Sequence, residues 1–145
     1  MTIAPLPIDL DGAPATAVIT TADGGSTLVP VALPLARKDT DADGKAQWHG
    51  VHPASMWGIA HGAATAFGDW HVSTLPALSI VLAGGWEIET TDGMTRQFTP
   101  GEVLVTLDNT GRGHRSRTLD GPCTSLGVWL TEEVAASLRN AAGGL

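Results

Sequence analysis

Residues 87–105, EIETTDGMTRQFTPGEVLV, carry the clearest structural signal in this chain. Asp92-Gly93 is the strongest short signal for a β-hairpin, and the residues on both sides of it alternate between apolar and polar. Pro100-Gly101 is a second turn signal and leads into the apolar run 103–107. These residues predict three short strands joined by two tight turns.

The same pattern extends in both directions. Eighteen Gly and nine Pro are spread along the chain, as expected for many short strands joined by turns. Pro30 and Pro34 place the second strand at the edge of a sheet. Only residues 132–140 have the pattern of a helix, with two acids in the first turn and Arg139 near the end. The three strands of the central stretch are 86–90, 95–98 and 103–107, and the remaining predicted strands are 17–21, 27–35, 56–67, 78–82, 114–118 and 124–130.

The length of 145 residues allows one domain with one sizeable core. We expect residues 1–15, which contain three prolines, to form an N-terminal arm or edge strand. Residues 16–130 would form a barrel, and residues 131–145 a C-terminal helix and tail. The polar loop 38–46 begins like a calcium-binding EF-hand loop but has Gly50 where the bidentate Glu belongs, which favours a solvated turn.

Charge and composition exclude several classes of partner. A net charge of -7 gives no positive field for nucleic acid or for an anionic membrane surface. Apolar runs such as 78–83 are too short to cross a bilayer, and the N-terminus lacks the basic start of a signal peptide. With Cys123 as the single cysteine, no disulfide forms within the chain, so we expect a cytoplasmic protein.

Residues 60–130 resemble the two conserved motifs of the cupin family. The resemblance rests on Trp70-His71, the run to Gly84, the stretch 87–105 and the later His114. It implies an all-β, cupin-like double-stranded β-helix, or jelly-roll barrel, with a short C-terminal helix. In the small single-domain cupins, TTDG, PGEV and DNTGRGH have close counterparts. The family holds a metal with three histidines and one glutamate.

This chain departs from the family's metal motif. The alignment puts His71 on the first histidine and His114 on the last, but it puts Ser73 on the second histidine and Ala77 on the glutamate. Two imidazoles and a hydroxyl do not bind Zn, Fe or Mn tightly. His61 would be the third ligand if its ring faced inward. We therefore expect either no cofactor or one divalent metal (Fe, Zn or Mn), and the metal ligands stay open.

The resemblance also places the lining of the barrel. If position 77 points inward, as the family's glutamate does, then Ala77, Ser79, Val81 and Ala83 line the interior, whereas the residues between them face away. These small side chains leave room for a compact organic ligand. The tryptophans that could wall such a pocket, or could instead fill the core, are Trp57, Trp70, Trp86 and Trp129.

Within such a pocket, His71 and His114 can act as a general acid–base pair, with His61 assisting, because imidazole exchanges protons near neutral pH. Ser73 would orient the substrate, and Arg112 would hold a carboxylate or enolate. Asp108 either fixes the tautomer of a histidine or, as we favour, caps the turn of residues 108–113.

Other polar residues have weaker functional signals. Glu87 and Glu89 share one face of their strand, and we expect both to be solvated rather than to act in acid–base chemistry. A Ser73/His71/Asp108 triad lacks the usual nucleophile sequence. Cys123 has no basic neighbour that would make its thiol reactive. We expect His49 and His52 to be loop or rim residues.

The leading hypothesis is a small-molecule enzyme that uses pocket histidines for proton transfer: an isomerase, cyclase or lyase acting on a carbonyl or aromatic compound. One alternative is a non-haem Fe cupin oxygenase that uses His61, His71 and His114. Another is a cupin that binds a small ligand without catalysis. The proline-rich arm and the family resemblance both suggest a homodimer. All of these functional hypotheses rest on analogy of fold.

Overall fold

The structure, a computed structural model, describes residues 12–40 and 42–144, and for residues 36–40 and 46–49 it describes the backbone alone. This part of the chain contains eleven strands and one helix. The strands are β1 (Gly12–Thr20), β2 (Ser26–Pro34), β3 (Ala36–Thr40), β4 (Ala46–His49), β5 (Ala54–Gly62), β6 (Ala77–Ala83), β7 (Trp86–Thr90), β8 (Thr95–Phe98), β9 (Val103–Thr106), β10 (His114–Thr118) and β11 (Cys123–Leu130), and the helix is α1 (Glu132–Ala142).

The strands form two main sheets and one hairpin. The larger sheet has the order β2-β1-β9-β6-β11-β5, the smaller has the order β10-β7-β8, and β3 pairs with β4. A backbone bridge between His71 and His114 adds one more segment beside β10. From β5 to β11 the chain passes back and forth between the two sheets, which is the connectivity of a jelly roll. The predicted all-β, cupin-like jelly roll with a short C-terminal helix is confirmed.

The apolar residues form two packed layers, one on each face of the larger sheet. Because side chains alternate along a strand, Val18 of β1 faces the smaller sheet, whereas Ala17 and Ile19 face the helix. The layer between the sheets contains Val18, Leu28, Val81, Ile88, Phe98, Leu104 and Cys123. The layer under the helix contains Ala15, Ala17, Ile19, Val31, Val105, Leu107, Ala135 and Leu138.

Helix α1 has the end signals that its sequence predicts. The Thr131 side chain accepts a hydrogen bond from the backbone N–H of Val134, and Gly143 ends the helix in the left-handed conformation. The helix buries Ala135 and Leu138 against the larger sheet. Within the part of the chain that the structure describes, no helix is long and apolar enough to cross a membrane.

The structure also corrects several predicted elements. Residues 12–15 belong to β1, where they pair with β2 alone, because β9 pairs only with residues 16–18 of that strand. Residues 1–11 lie outside the described residues. The predicted polar loop 38–46 is instead the turn of the β3–β4 hairpin together with parts of both strands. The edge position predicted for β2 from its prolines is confirmed.

The strand predicted over residues 56–67 ends at Gly62, because the chain there leaves the larger sheet for the smaller one. The N–H of Thr118 donates to the carbonyl of Ala64 at 2.7 Å, and the N–H of Ala64 donates to the hydroxyl of Thr118 at 3.0 Å. The N–H of Gly68 donates to the carbonyl of Ser116. Residues 64–71 therefore run alongside β10 and bring His71 to its first residue.

Candidate functional site

His114 is the first residue of β10, and its side chain is buried together with a carboxylate. Its Nδ1 lies 2.6 Å from Oδ2 of Asp108, and the two residues are 3% and 0% exposed. The carboxylate accepts the Nδ1 proton, so Nε2 of a neutral His114 carries the free lone pair. Asp108 therefore fixes the tautomer of His114. The turn-capping role that we favoured for Asp108 is wrong.

A close backbone contact brings a second histidine beside His114. The N–H of each residue donates to the carbonyl of the other at 2.9 Å, and the two ring centroids are 4.7 Å apart. Gly113 makes this approach possible, since a Cβ there would lie 1.8 Å from the carbonyl oxygen of His71. Gly113 also has a φ of 74°, which favours glycine.

His71 differs from His114 in exposure and in its partner. Its ring is exposed, and its Nδ1 lies 2.9 Å from the backbone carbonyl of Asp69. A carbonyl only accepts, so this contact makes Nδ1 the protonated nitrogen and leaves Nε2 with the lone pair. The site thus combines a buried, carboxylate-held imidazole with an exposed one.

Ser73 and Asn109 complete the surroundings of the buried carboxylate. The Ser73 hydroxyl donates to Oδ1 of Asp108 at 3.3 Å, and the Ser73 N–H donates to the Asp108 carbonyl at 3.2 Å. The Asn109 side-chain amide donates to the Ser73 carbonyl at 2.9 Å. Because the Ser73 hydroxyl bonds the carboxylate rather than an imidazole, this arrangement is not a nucleophilic triad.

A cavity of about 330 Å³ lies between the two sheets. Ala77 and Ser79 of β6 line it, as the predicted strand parity requires, and Val81 lies in the core between the sheets. Leu78 faces the opposite side, beside the helix. No charged side chain and no histidine is among the described residues that line the cavity.

The rest of the cavity wall combines small residues with two indoles. Trp86 and Trp129 line it, and a Cβ at Gly58 would already touch the Trp129 ring at 3.4 Å. Cys123 also lines the cavity, and burial raises the pKa of its thiol. The hydroxyls that line the cavity are those of Ser79, Thr118 and Ser125.

His114 faces the same interior as the cavity but at the other end of β10. Side chains alternate along a strand, so His114, Ser116 and Thr118 share one face, and Thr118 lines the cavity. Four residues of strand correspond to about 13 Å. The histidine pair and the cavity are therefore neighbouring features of one interior, not a single pocket.

His61 does not join the histidine pair. In the pairing of β5 with β11, Gly62 lies opposite Cys123 and His61 opposite Thr124. Cys123 faces the cavity, so His61 faces outward, where its Nδ1 lies 2.8 Å from the Thr124 hydroxyl. The expectation that the His61 ring faces inward is wrong, because it depended on an unknown strand register.

Three predicted substrate-binding residues also lie away from the interior. Trp57 follows the outward parity of His61 and is 72% exposed. Trp70 lies outside the smaller sheet, with its ring 4.9 Å from the Arg115 guanidinium. Arg112 is exposed and pairs with Asp23 at 3.8 Å. Of the residues predicted to bind substrate, Ala77 and Ser79 line the cavity, and Ser73 lies beside Asp108.

The two glutamates of β7 share one face, as predicted, but they are not solvated. Glu87 is 7% exposed and pairs with Arg117 at 2.7 Å, and Glu89 pairs with Arg115 at 2.7 Å. Phe67 covers both guanidinium groups, at 4.6 and 4.8 Å. Opposite charges at facing positions of two strands stabilise their pairing, which gives these acids a structural role.

The two histidines predicted to lie in a loop or at the rim, His49 and His52, belong to different elements. His52 is an exposed loop residue, as predicted, and its Nε2 lies 3.1 Å from the carbonyl of Pro34. His49 belongs to β4, and its side chain lies outside the described residues.

The donor set of the described residues does not fit the metal that the family resemblance implies. His71 and His114 offer two imidazoles, while both oxygens of Asp108 are engaged by His114 and Ser73. Tight sites for Zn or Fe need three or four converging donors. Among the described residues, no group of three or more His, Cys, Asp or Glu side chains converges.

Comparison with known proteins gives likenesses of structure alone. No family model and no curated protein matches the chain. It is similar to the Schizosaccharomyces pombe Cnp3 cupin domain (14% identity, 94% of each chain, TM-score 0.40) and to the ethanolamine utilization protein Q of Salmonella typhimurium (16%, 82% of this chain and 96% of that one, TM-score 0.40). A third similar structure is protein NMB1881 from Neisseria meningitidis (14%, 52% and 72%, TM-score 0.39). Because these identities and TM-scores are low, the fold is assigned from the strand order and not from these likenesses.

Proposed function

We propose that this chain is a proton-transfer enzyme in which His114 is the general base. One observation carries the proposal: the 2.6 Å contact between His114 Nδ1 and the fully buried Asp108 carboxylate. A buried carboxylate that holds one imidazole nitrogen presents the other as a base and stabilises the imidazolium that forms.

In this mechanism the proton moves between the substrate and the two rings. Nε2 of His114 removes a proton from a carbon next to the substrate carbonyl, and the negative charge of Asp108 stabilises the imidazolium. When its Nε2 also carries a proton taken from solvent, the exposed His71 ring, whose centroid lies 4.7 Å from that of His114, can return this proton to the enolate at a different atom. The His114 imidazolium then releases its proton to solvent. The net change is an isomerisation, with no cofactor or oxidant required.

The class of substrate is proposed from the cavity, and proton transfer then requires the substrate to move about 13 Å along β10 from the cavity to the histidine pair. Its volume of about 330 Å³ suits a compact molecule, and its uncharged lining favours a neutral one. Trp86 and Trp129 would pack against a ring, and the hydroxyl groups of the lining would donate hydrogen bonds to a carbonyl. We therefore propose that the substrate is a neutral cyclic or aromatic carbonyl compound. We also propose, from the sequence, that the protein is cytoplasmic.

The proposal is tested with cyclohexenone and acetophenone as probes in D₂O. Proton NMR would follow replacement of the hydrogens next to the carbonyl by deuterium. His114→Gln should slow catalysed exchange by about 10²–10⁴-fold, the usual contribution of a general base. His61→Gln is the matched control and should leave the rate unchanged, because His61 faces outward. Exchange by His114→Gln at the wild-type rate would contradict the proposal.

A non-catalytic ligand-binding role is the second candidate, and the absence of histidine from the described cavity lining favours it. The same probes distinguish the two roles. A binding protein would show quenching of Trp86 and Trp129 fluorescence, lost when Gly127→Leu fills the cavity, with no deuterium exchange.

A further inference from the structure

We propose that β5 is the surface through which two copies of this chain associate, by antiparallel pairing of the two β5 strands about Gly58. Strand β5 is the last strand of the larger sheet, and within the described part of the chain only β11 pairs with it. Eight of its nine residues are exposed, all except Gly58. Its exposed apolar side chains are Met56 (52%), Trp57 (72%) and Ile59 (62%).

The two edges of the larger sheet are protected very differently. Strand β2, at the opposite edge, carries Pro30 and Pro34, which cannot donate to a further strand. Strand β5 has no proline and no charged residue between Ala54 and Gly62. Natural edges without such features are sites where another strand adds. Among the described residues, one edge of this sheet is closed to pairing by proline and the other is open.

Charge restricts where a second copy of the chain can associate. Each copy carries a net charge of -7, so two copies repel over most of their surfaces. The uncharged β5 is a surface where they can approach without placing like charges together. A two-fold interface of this kind uses the same patch on both copies.

The sequence of β5 is also complementary to itself. Antiparallel pairing centred on Gly58 places Trp57 opposite the partner's Ile59, and Ile59 opposite the partner's Trp57. Pairs of an aromatic with a β-branched side chain stabilise neighbouring strands. Gly58, at the two-fold axis, adds no side chain that would keep the strands apart. The larger sheets of the two copies would then form one continuous sheet.

This interface differs from the one that we predicted through the N-terminal arm. It also bears on the cavity, because Gly58, Ile59, Ala60 and Gly62 of β5 line its wall. A partner strand would support this wall from outside. The proposal does not depend on the proposed catalytic role, since it concerns association and not proton transfer.

Sedimentation equilibrium of the full chain tests the proposal. We expect a mass of twice 14.9 kDa for the wild-type protein and of 14.9 kDa for Ile59→Lys and for Trp57→Lys. Both positions are more than half exposed, so lysine there does not prevent folding. The matched controls are Val51→Lys and Leu82→Lys, which change exposed apolar residues outside β5 and should stay dimeric.

Hydrogen exchange supplies a second readout on the same proteins. The β5 amides that β11 leaves unbonded should be protected in the wild-type dimer and should exchange freely in Ile59→Lys. A wild-type protein that is monomeric at all concentrations would overturn the proposal. So would a dimer that both β5 variants leave intact, or one that the control variants dissociate equally.

Discussion

The substitution Gly113→Ala tests the backbone contact on which the histidine pair depends. Alanine at a φ of 74° costs about 1 kcal/mol relative to glycine. In addition, the new Cβ would lie 1.8 Å from the carbonyl oxygen of His71 and 2.6 Å from the backbone nitrogen of Val72. Both of these are backbone atoms, so the two segments must separate.

Separation would break the two 2.9 Å hydrogen bonds between His71 and His114, each worth about 1 kcal/mol. We therefore expect Gly113→Ala to lower the free energy of unfolding by about 3 kcal/mol. Gly93→Ala is the matched control: its φ of 85° is similar, but a Cβ there meets no atom within 4 Å. It should cost about 1 kcal/mol.

The free energies would come from urea unfolding followed by tryptophan fluorescence, with comparison restricted to variants of equal m-value. The difference of about 2 kcal/mol between the two variants measures the contact itself. Equal destabilisation of Gly113→Ala and Gly93→Ala would show that residues 71 and 113 are not in contact, and it would refute this reasoning.

Two further predictions concern ionisable groups. Burial raises the pKa of the Cys123 thiol. Iodoacetamide at pH 8 should therefore alkylate the native protein far more slowly than the urea-unfolded protein, as measured by mass spectrometry. Equal rates of alkylation would contradict the burial of Cys123. For Asp92, burial raises the pKa, but hydrogen bonds from Thr27, Thr90 and the Met94 N–H outweigh it and hold the pKa below its ordinary value. A carboxyl whose pKa is lower in the folded than in the unfolded protein contributes stability above the unfolded pKa of about 3.9, and this contribution is lost as the pH falls through the folded pKa. The wild-type protein should therefore be more stable than Asp92→Asn at pH 7, and the difference in the free energy of unfolding should disappear in acid. A difference that does not change with pH would contradict this prediction.

Local sequence signals predict most of the strands because the relevant information lies within a few residues. Asp92-Gly93 fixes the β7–β8 hairpin, and the prolines of β2 give its edge position correctly. The faces of β6 were also predictable, because side chains alternate along a strand and one residue assigned to the interior therefore fixes which of its neighbours face inward or outward. The short strands β3 and β4 were missed because their sequence is polar, and backbone pairing rather than an apolar face defines them.

The site required long-range information that the sequence does not contain. His71 and His114 were recognised through the cupin resemblance, but the carboxylate partner of His114 depends on the path of the loop 108–113. His61 was misplaced because the register of β5 against β11 reverses the face of every side chain when it shifts by one residue. Arg115 and Arg117 would have predicted the ion pairs of Glu89 and Glu87, but only if the pairing of β7 with β10 had been known.

The central claim is that Asp108 holds Nδ1 of His114 and leaves Nε2 as the base. Long-range proton–nitrogen NMR of the imidazole rings tests it most directly, because it distinguishes the two neutral tautomers. The account predicts that neutral His114 is protonated at Nδ1, with a slowly exchanging proton, and that this signal changes in Asp108→Asn while the His61 signals do not. A neutral His114 that carries its proton on Nε2 would contradict the account.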